Sequence, residues 1–277
     1  MHPYFNFFGR EIPAFGLMMI VGAAVALLAV YFNCRLKKID ATDSMLTAIM
    51  AALGGAFGVV ALKPIIKIPE VIMNWERFSK VPLGDFLAWF FGEMVFYGGL
   101  LGGAAAAFIF CRGFKMSFLK TADILIPAVP LGHAFGRIGC LLGGCCYGVE
   151  VSASHPFAIV YPERTDGLEA VTAPIGIPVL AVPVIEAGGN IIIAVIIMLF
   201  GLKLAKTGQC LALYGLLYGV QRFVLEFFRG DLHRGVYNGI STSQIISIGI
   251  VAISAMIFIL PYLPYFKNKH KTVDKLI

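Results

Sequence analysis

Apolar stretches long enough to cross a lipid bilayer recur along the whole chain, and short polar stretches separate them. A membrane-spanning helix needs roughly 17 to 25 mostly apolar residues, because each residue adds about 1.5 Å to the length of the helix. Seven stretches meet this requirement, which predicts seven transmembrane helices. Their bounds are Ala14–Phe32, Met45–Leu62, Phe86–Phe110, Ala122–Leu142, Pro183–Leu202, Leu211–Phe228 and Gln244–Tyr262.

The composition also indicates a membrane protein. Of 277 residues, 59% are hydrophobic and only 14% are charged, whereas soluble proteins average about 25% charged residues. We therefore predict an all-α integral membrane protein with a single polytopic domain, 1–277. Within it, 149–182 is expected to form a small extracytoplasmic head loop and 264–277 a basic cytoplasmic tail. The first apolar stretch lacks a small-residue cleavage pattern, which predicts a retained span and not a signal peptide.

The distribution of lysine and arginine predicts the orientation, because cytoplasmic loops carry an excess of both. With the N-terminus outside, twelve of these residues fall on the inner side and eight on the outer side. This count favours an extracytoplasmic N-terminus and a cytoplasmic C-terminus, and only the predicted loop Lys63–Asp85 opposes it. The net charge of +6 then reflects topology and contact with anionic lipids. Nucleic acid is not an expected partner, since no soluble segment contains a basic helix.

One arginine, Arg137, stands at the end of an otherwise apolar run, in the glycine-rich segment Gly136–Gly148. An arginine in a membrane-spanning segment costs at least a few kcal/mol, so such residues usually face a cavity and have a partner. Five glycines in these thirteen residues allow a backbone or a ligand to approach closely. We therefore predict that Arg137 binds an anionic group.

Polar residues of other predicted spans lie at a similar depth. In the predicted topology, Arg222 and Glu226 fall in the outer half of the bilayer, as Arg137 does. They are four residues apart and are expected to pair on one helix face. Glu186 begins the fifth span, and Tyr97 lies in the third. These residues are predicted to line one cavity, in which two buried arginines facing one acid leave a positive surplus suited to a phosphate.

Several of these residues also have a purely structural interpretation. Glu226 would then act only as the counter-ion of Arg222, and Arg229 would lie at the rim or extend to the lipid headgroups. The glycines of the third span match the small-xxx-small pattern of packed membrane helices. These glycines are Gly98, Gly99, Gly102 and Gly103.

Three cysteines, Cys140, Cys145 and Cys146, follow Arg137 closely. We interpret them as small packing residues, as a disulfide from Cys140 to Cys145 or Cys146, or as a reactive thiol beside the arginine. No metal site is predicted, because these cysteines and His133 do not reproduce a recognised zinc spacing. The remaining cysteines fall near the predicted inner face as ordinary reduced thiols. These are Cys34, Cys111 and Cys210.

Five segments share their order and spacing with one known family. They are Phe96–Gly102, Gly136–Gly148, His155–Pro162, Tyr218–Arg229 and Ser241–Ser247. The second resembles the signature of the prolipoprotein diacylglyceryl transferases, bacterial membrane enzymes of lipoprotein maturation. The first is similar to that family's His-Gly-Gly-Leu-Ile-Gly segment, and the third resembles its outer loop. The last two are similar to its Arg-Phe-x-x-Glu-Phe-x-Arg and Met-Gly-Gln-x-x-Ser segments.

The resemblance implies a transferase that moves diacylglyceryl from phosphatidylglycerol to the lipobox cysteine thiol in a prolipoprotein signal peptide. The product is a thioether, glycerol 1-phosphate is released, and no cofactor is implied. The location implied is the bacterial cytoplasmic (inner) membrane. By position, the resemblance assigns catalytic roles to Arg137, Arg222, Glu226 and Tyr97. The two arginines also fall among its substrate-binding positions, together with Arg229, Gly98, Gly99, Gly136, Gly139, Gly148, Glu186 and Gln244.

The chain departs from the family pattern at groups that would handle protons or donate hydrogen bonds. Tyr97 stands at the position of the histidine, and a tyrosine with a pKa near 10 is a weaker base at neutral pH. Cys140 replaces the signature asparagine and Cys145 replaces its glutamate. His155 in the outer loop is a candidate substitute base or a solvated loop residue. Two further departures are Phe15 in place of a tyrosine and Ala56 in place of a Gly-Gly-Arg segment.

Three functions from different classes follow. The first is the transfer reaction that the resemblance implies. The second is an enzyme of the same fold that acts on a different lipid or thiol acceptor. The third is a non-catalytic membrane protein that binds phospholipid through its arginines.

Overall fold

The computed structural model describes residues 4–7, 10–91, 96–162, 172–203, 206–231, 236–237 and 239–259. Most of them are helical. The helices are α1 (Ala14–Leu36), α2 (Thr42–Met73), α3 (Trp75–Phe78), α4 (Leu83–Phe91), α5 (Phe96–Gly113), α6 (Phe118–Leu125), α7 (Ala128–Gly143), α8 (Val182–Lys203), α9 (Gln209–Leu225), a 3-10 turn (Glu226–Phe228) and α10 (Thr242–Ile259). Three antiparallel strand pairs are β1 (Tyr4–Phe7) with β2 (Arg10–Pro13), β3 (Ala158–Val160) with β4 (Pro178–Leu180), and β5 (Val236–Tyr237) with β6 (Ile240–Ser241).

Five of the described helices are long and apolar enough to cross a membrane, and six spans result if one bent pair counts as a single span. The five are α1, α2, α8, α10 and α9 together with its 3-10 turn; the bent pair is α6 and α7. The protein is therefore a mostly helical, multi-pass membrane protein. The predicted third span corresponds to α4 and α5, which flank residues 92–95, outside the described part of the chain.

The second membrane helix is longer than the sequence predicted. The sequence predicted its end at Leu62 and a loop from Lys63 onward, but α2 continues to Met73. Lys67 lies inside this helix and is buried. Its Nζ donates to the Trp89 carbonyl at 2.5 Å and lies 3.8 Å from the centre of the Trp89 ring. Because these two contacts stabilise the buried ammonium group, the helix continues through Lys67.

The described chain divides into two compact units, residues 39–121 and residues 1–38 with 122–277. In the first, α2 packs along α5. A Cβ atom added at Gly98 would collide with the Gly58 carbonyl oxygen and would lie 2.8 Å from Leu62 Cβ; one added at Gly99 would lie 2.7 Å from Val59 Cγ2. The packing of α2 on α5 therefore requires small residues here. Substrate binding by Gly98 and Gly99 stays a prediction.

In the second unit, α7 packs between α1 and α8, and α9 packs between α8 and α10. The contact of α7 with α1 is close, because a Cβ atom added at Gly139 would lie 3.1 Å from Phe15 Cδ2. A Cβ atom at Gly136 would lie 3.5 Å from Met19 Sδ. Both glycines thus face α1, and the substrate-binding role expected for them stays a prediction.

A bend of 46° separates α6 from α7. It occurs at Pro127, whose ring cannot continue the helical hydrogen-bond ladder. Asp123 of α6 accepts hydrogen bonds from the backbone N–H groups of Gly208 (2.5 Å) and Leu211 (3.1 Å). These contacts satisfy amides that would otherwise be unpaired at the start of α9. They connect the chain before α7 to the helix that carries Arg222.

The predicted head loop, 149–182, is described except for 163–171. It contains the β3–β4 pair and a small buried cluster of Tyr161, Ala173 and Val179. The predicted tail, 264–277, lies outside the described residues. The interpretation of 1–277 as a single membrane domain stays a prediction.

Candidate active site

Arg137 lies on α7 and contacts residues of two helices. Its Nε lies 3.1 Å from Glu186 Oε1 on α8 and donates to His133 Nε2, one turn earlier on α7, at 3.1 Å. The side chain of Glu186 is only 1% exposed. The His133 ring lies 5.3 Å from the ring of Tyr218 on α9, and Tyr218 stacks on Tyr214. Arg137 is thus a mostly buried cation, 13% exposed, with a buried carboxylate partner and an aromatic wall.

Glu186 has acceptor capacity that the described residues do not use. It is in ion-pair contact with Arg137, yet neither of its carboxylate oxygens accepts a hydrogen bond from any described residue. The reason is the direction of the Arg137 Nε–H, which points to His133. The backbone of Glu186 is held by Gln221, whose Nε2 donates to its carbonyl at 3.1 Å. A buried carboxylate in this state is suited to accept a donor from a bound molecule.

Arg222 on α9 forms the ion pair that its spacing predicts. Its Nη2 lies 2.8 Å from Glu226 Oε2 and donates to Ser243 Oγ on α10 at 3.1 Å. The other terminal nitrogen, Nη1, is buried and has no hydrogen-bond partner among the described residues. Because an unsatisfied donor on a buried cation costs free energy, Nη1 is a natural contact for an anionic ligand.

The predicted positive surplus is wrong for the described residues. The sequence placed two arginines opposite one acid, whereas the structure pairs Arg137 with Glu186 and Arg222 with Glu226. A third arginine, Arg229, forms a two-point contact with Asp231, with N···O distances of 2.9 and 2.5 Å. Glu186 is far from Arg137 in sequence, so only the packing of α8 on α7 makes this pair. An anionic ligand would therefore meet individual N–H donors here, and no excess of positive charge among the described residues.

Gln244 has a defined structural role at the start of α10. Its Oε1 accepts the Ser241 backbone N–H at 3.0 Å, and Ser241 Oγ accepts the Gln244 backbone N–H at 3.1 Å. This reciprocal arrangement is a capping box, which satisfies two backbone donors at the helix start. It also fixes Ser243 opposite Arg222. Substrate binding by Gln244 stays a prediction.

Gly148 fixes the position of the segment that follows α7. Its N–H donates to the Leu180 carbonyl, and the next amide, of Val149, donates to Phe228; both distances are 2.9 Å. A Cβ atom at Gly148 would lie 2.7 Å from the Leu180 carbonyl oxygen and 2.8 Å from that of Phe228. Only glycine fits between these backbones. The signature segment is thereby held between the head loop and the end of α9.

The three signature cysteines come together at the end of α7. Gly144 ends the helix in the left-handed conformation, with φ at 69°, and the Cys145 N–H donates to the Cys140 carbonyl at 3.0 Å. This turn folds the chain back, so that the Sγ atoms of Cys140, Cys145 and Cys146 all lie within 4.8 Å of one another. All three are free thiols, as are Cys34, Cys111 and Cys210.

The cysteine cluster adjoins Arg137. The Nη1 of Arg137 donates to Cys146 Sγ at 3.7 Å. Hydrogen bonds from Cys140 and Cys145 lower the pKa of the Cys146 thiol, and the positive charges of Arg229 and Arg137 lower it further. Burial raises the pKa of Tyr161 in the head loop to about 12, and the neighbouring thiols add to this effect. The signature thus contributes a guanidinium and a thiolate-stabilising group side by side.

Two other residues considered from the sequence are Tyr97 and His155. The side chain of Tyr97 is not among those described, although its backbone lies in α5. His155 is exposed, and its Nδ1 accepts the Phe157 N–H at 3.1 Å, so it lies in a local turn. His133, Ser243 and Asp231 contact site residues without having been predicted from the sequence. The spacings of His133 from Arg137, one helical turn, and of Asp231 from Arg229, two residues, were local signals for two of them.

Comparisons with known proteins identify the family of this chain. The sequence model of the family described as prolipoprotein diacylglyceryl transferase matches residues 3–260. Phosphatidylglycerol–prolipoprotein diacylglyceryl transferase of Clostridium tetani is 29% identical over 92% of this chain and 95% of its own length. Phosphatidylglycerol–prolipoprotein diacylglyceryl transferase 2 of Clostridium perfringens is 30% identical over 88% of this chain and 89% of its own length. Phosphatidylglycerol–prolipoprotein diacylglyceryl transferase of Proteus mirabilis is 28% identical over 90% of this chain and 87% of its own length. The chain belongs to the prolipoprotein diacylglyceryl transferase family.

Proposed function

We propose that this protein transfers diacylglyceryl from phosphatidylglycerol to the lipobox cysteine thiol of a prolipoprotein signal peptide. The reaction forms a thioether and releases glycerol 1-phosphate. It takes place in the bacterial cytoplasmic membrane, in a seven-span topology with the N-terminus outside and the C-terminus inside. The family membership and the names of the relatives support this assignment.

The observation that carries the proposal is the Arg222 Nη1, which is buried and has no hydrogen-bond partner among the described residues. Arg222 is held by Glu226 and Ser243 through its other terminal nitrogen, so Nη1 keeps a fixed direction. A phosphate oxygen placed there gains a charge-assisted hydrogen bond. In a site with little water, such a donor stabilises the charge that develops on the departing phosphate.

Arg137 on α7 has a matching role. Its charge is anchored by Glu186 and His133 through Nε, and its Nη1 donates to Cys146 Sγ. We propose that Arg137 and Arg222 bind the phosphate of the lipid and that Arg229 lies at the rim of the site. Glu226 orients Arg222. Tyr97 and the glycines Gly98, Gly99, Gly136, Gly139 and Gly148 remain proposed site residues by position in the family pattern.

The proposal is tested by complementation of a bacterial strain depleted of its own diacylglyceryl transferase. We expect wild-type protein to restore growth and lipidated precursor. Arg222→Gln should abolish both, while Arg35→Gln, an exposed arginine at the end of α1, should restore both. All variants are compared at equal amounts in the membrane.

Two results would contradict the proposal in different ways. Absence of lipidated precursor with wild-type protein, accompanied by transfer from another lipid or to another thiol in purified membranes, would indicate an enzyme with different substrates. Copurification of phosphatidylglycerol without any turnover would indicate a lipid-binding protein.

A further inference from the structure

The three clustered thiols have the geometry of a metal site. Zinc–sulfur bonds of about 2.3 Å in a tetrahedral arrangement place the sulfur atoms about 3.8 Å apart. The Sγ atoms of Cys140, Cys145 and Cys146 all lie within 4.8 Å of one another. Sulfur movements of under about 1 Å therefore suffice for all three to contact one cation.

We propose that Cys140, Cys145 and Cys146 bind one zinc ion, and that its fourth coordination position receives the thiol of the acceptor cysteine. This inference rests on the proposed function and deepens it, because it names the group that activates the acceptor. Sequence spacing did not suggest it, since the site forms by a reversal of the chain after α7.

The backbone around the cysteines is fixed before any ligand binds. Cys146 has a left-handed conformation, with φ at 59°, which costs a non-glycine residue about 1 kcal/mol or more. Hydrogen bonds on both sides hold it there: the Ala173 N–H donates to the Gly144 carbonyl at 3.1 Å, and the Gly230 N–H donates to that of Tyr147 at 3.0 Å. Strain of this kind is retained mainly at functional sites.

The surrounding charges suit a thiolate-bound zinc ion. Three thiolates and one Zn²⁺ carry a net charge of −1, and Arg137 Nη1 lies 3.7 Å from Cys146 Sγ. Such a contact from outside the ligand set stabilises thiolate ligands. The cluster also lies at the carbonyl end of α7, where the helix dipole favours a cation. The hydroxyl of Tyr161 is buried and has no hydrogen-bond partner among the described residues.

Three protein ligands in the described part of the chain leave one coordination position for a further ligand. The group of close ligand atoms found among the described residues contains three cysteines and no histidine or carboxylate. Structural zinc sites have four protein ligands, whereas catalytic ones have three and leave a position for water or substrate. An incoming thiol that takes this position is bound as thiolate, which is the nucleophilic form.

The reaction then balances without a protein base. The acceptor thiol loses its proton on binding zinc, and its sulfur attacks the glycerol carbon that carries the phosphate ester. The new bond is carbon–sulfur, and the carbon–oxygen bond to phosphate breaks. The electron pair leaves with the phosphate oxygen, where Arg222 and Arg137 stabilise it, and the released phosphate monoester takes up the thiol proton. The thioether is a weak zinc ligand and dissociates.

This assignment accounts for the departures of the chain from its family pattern. By the resemblance to the family pattern, Tyr97 and Cys145 stand at the positions of a histidine and a glutamate, so two groups suited to proton transfer are replaced together. One of the replacements, Cys145, is a ligand of the proposed zinc site. Metal activation of the thiol makes a strong base unnecessary, because zinc binding alone produces thiolate at neutral pH.

Metal binding is measured on the full-length protein, reduced and purified in detergent with phosphatidylglycerol. The starting protein carries Cys34→Ser, Cys111→Ser and Cys210→Ser, so that only the clustered thiols remain. We expect about one zinc ion per chain, and a loss of zinc affinity of roughly 100-fold or more in Cys145→Ser. Thermal unfolding of each variant identifies any that fail to fold. The conservative Cys140→Ser and Cys146→Ser variants give two further measurements of the same loss.

Cobalt substitution tests the fourth position without turnover. Co²⁺ bound by three thiolates gives charge-transfer and ligand-field absorption that changes when a fourth thiolate binds. A lipobox peptide should change this spectrum, and the same peptide with serine in place of its cysteine should not. No change with the cysteine peptide overturns the fourth-ligand assignment, as does transfer that persists after complete zinc removal. Failure of the reduced protein to bind zinc, or a disulfide among these cysteines in protein extracted from membranes, overturns the site itself.

The two proposals fail in distinguishable ways. Zinc binding and a cobalt response to the cysteine peptide, without any diacylglyceryl transfer, support the metal site and overturn the proposed function. Transfer by zinc-free protein supports the proposed function and overturns the role of zinc in it.

Discussion

Arg137 Nη1 donates to Cys146 Sγ at 3.7 Å, and this contact joins two parts of the site that the sequence shows only as neighbours in one segment. The guanidinium faces Glu186 through Nε and the thiol through Nη1. One side chain therefore links the proposed phosphate position to the proposed acceptor position. In a displacement reaction the nucleophile and the leaving group must be held together, and orientation of this kind lowers the barrier.

The Arg137–Glu186 pair should be essential for stability. Glu186→Gln leaves a mostly buried guanidinium without its counter-ion, and we expect a loss of about 3 kcal/mol in the free energy of unfolding. The double variant Arg137→Gln with Glu186→Gln removes both charges and should recover part of this loss while remaining inactive. Thermal unfolding in detergent measures the difference. Glu76→Gln, an exposed glutamate of α3, is the control, and equal effects of the two single glutamate variants would exclude a structural ion pair.

Ser243 should act through Arg222. Ser243→Ala removes the hydroxyl that accepts from Nη2, which loosens the guanidinium without removing its charge. We expect kcat/KM for phosphatidylglycerol to fall by about 3- to 10-fold. In a double-mutant cycle the effect should disappear when Arg222 is already glutamine. Additive effects of the two substitutions would show that Ser243 acts independently.

Gly148 should tolerate no side chain. Gly148→Ala places a methyl group 2.7 Å from the Leu180 carbonyl oxygen, so the backbone must shift, at a cost of about 1 to 3 kcal/mol. Gly143→Ala is the matched control, because no atom lies within 4 Å of a Cβ added there. We expect a lowered unfolding temperature for the first variant and little change for the second. A stable but inactive Gly148→Ala protein would instead support direct contact with substrate.

Two substitutions of Gln244 should distinguish a role in helix capping from a role in substrate binding. Gln244→Ala removes the side-chain oxygen that accepts the Ser241 N–H, and we expect a loss of about 1 kcal/mol in stability. Gln244→Glu keeps an acceptor at the same position, which also favours the helix start, and should retain most of the stability. Unfolding temperature and initial rate are measured together. A glutamate variant that is stable and inactive would show that the amide group binds substrate.

The features that depended on local spacing could be predicted from the sequence. The lengths of the apolar stretches predicted most of the membrane helices, because bilayer thickness sets the length that a span requires. The four-residue spacing of Arg222 and Glu226 predicted their pair, because helical geometry places such residues on one face. Lys67 shows the limit of this reasoning: a charge suggested a loop, but a carbonyl and a ring from another helix satisfy it.

The composition and motifs of the sequence by themselves determined a multi-pass membrane protein, its family resemblance and the importance of Arg137. Only the tertiary structure decided that Glu186 is the partner of Arg137, that Gln244 caps α10, and that three thiols share one small volume. Pairing of Arg137 with Glu186 depends on how α7 packs against α8, and the thiol cluster depends on the left-handed turn at Gly144 and Cys146. Neither contact could be predicted from the periodicity of the sequence. Helix packing and a reversal of the backbone bring together residues whose spacing follows no helical or strand repeat.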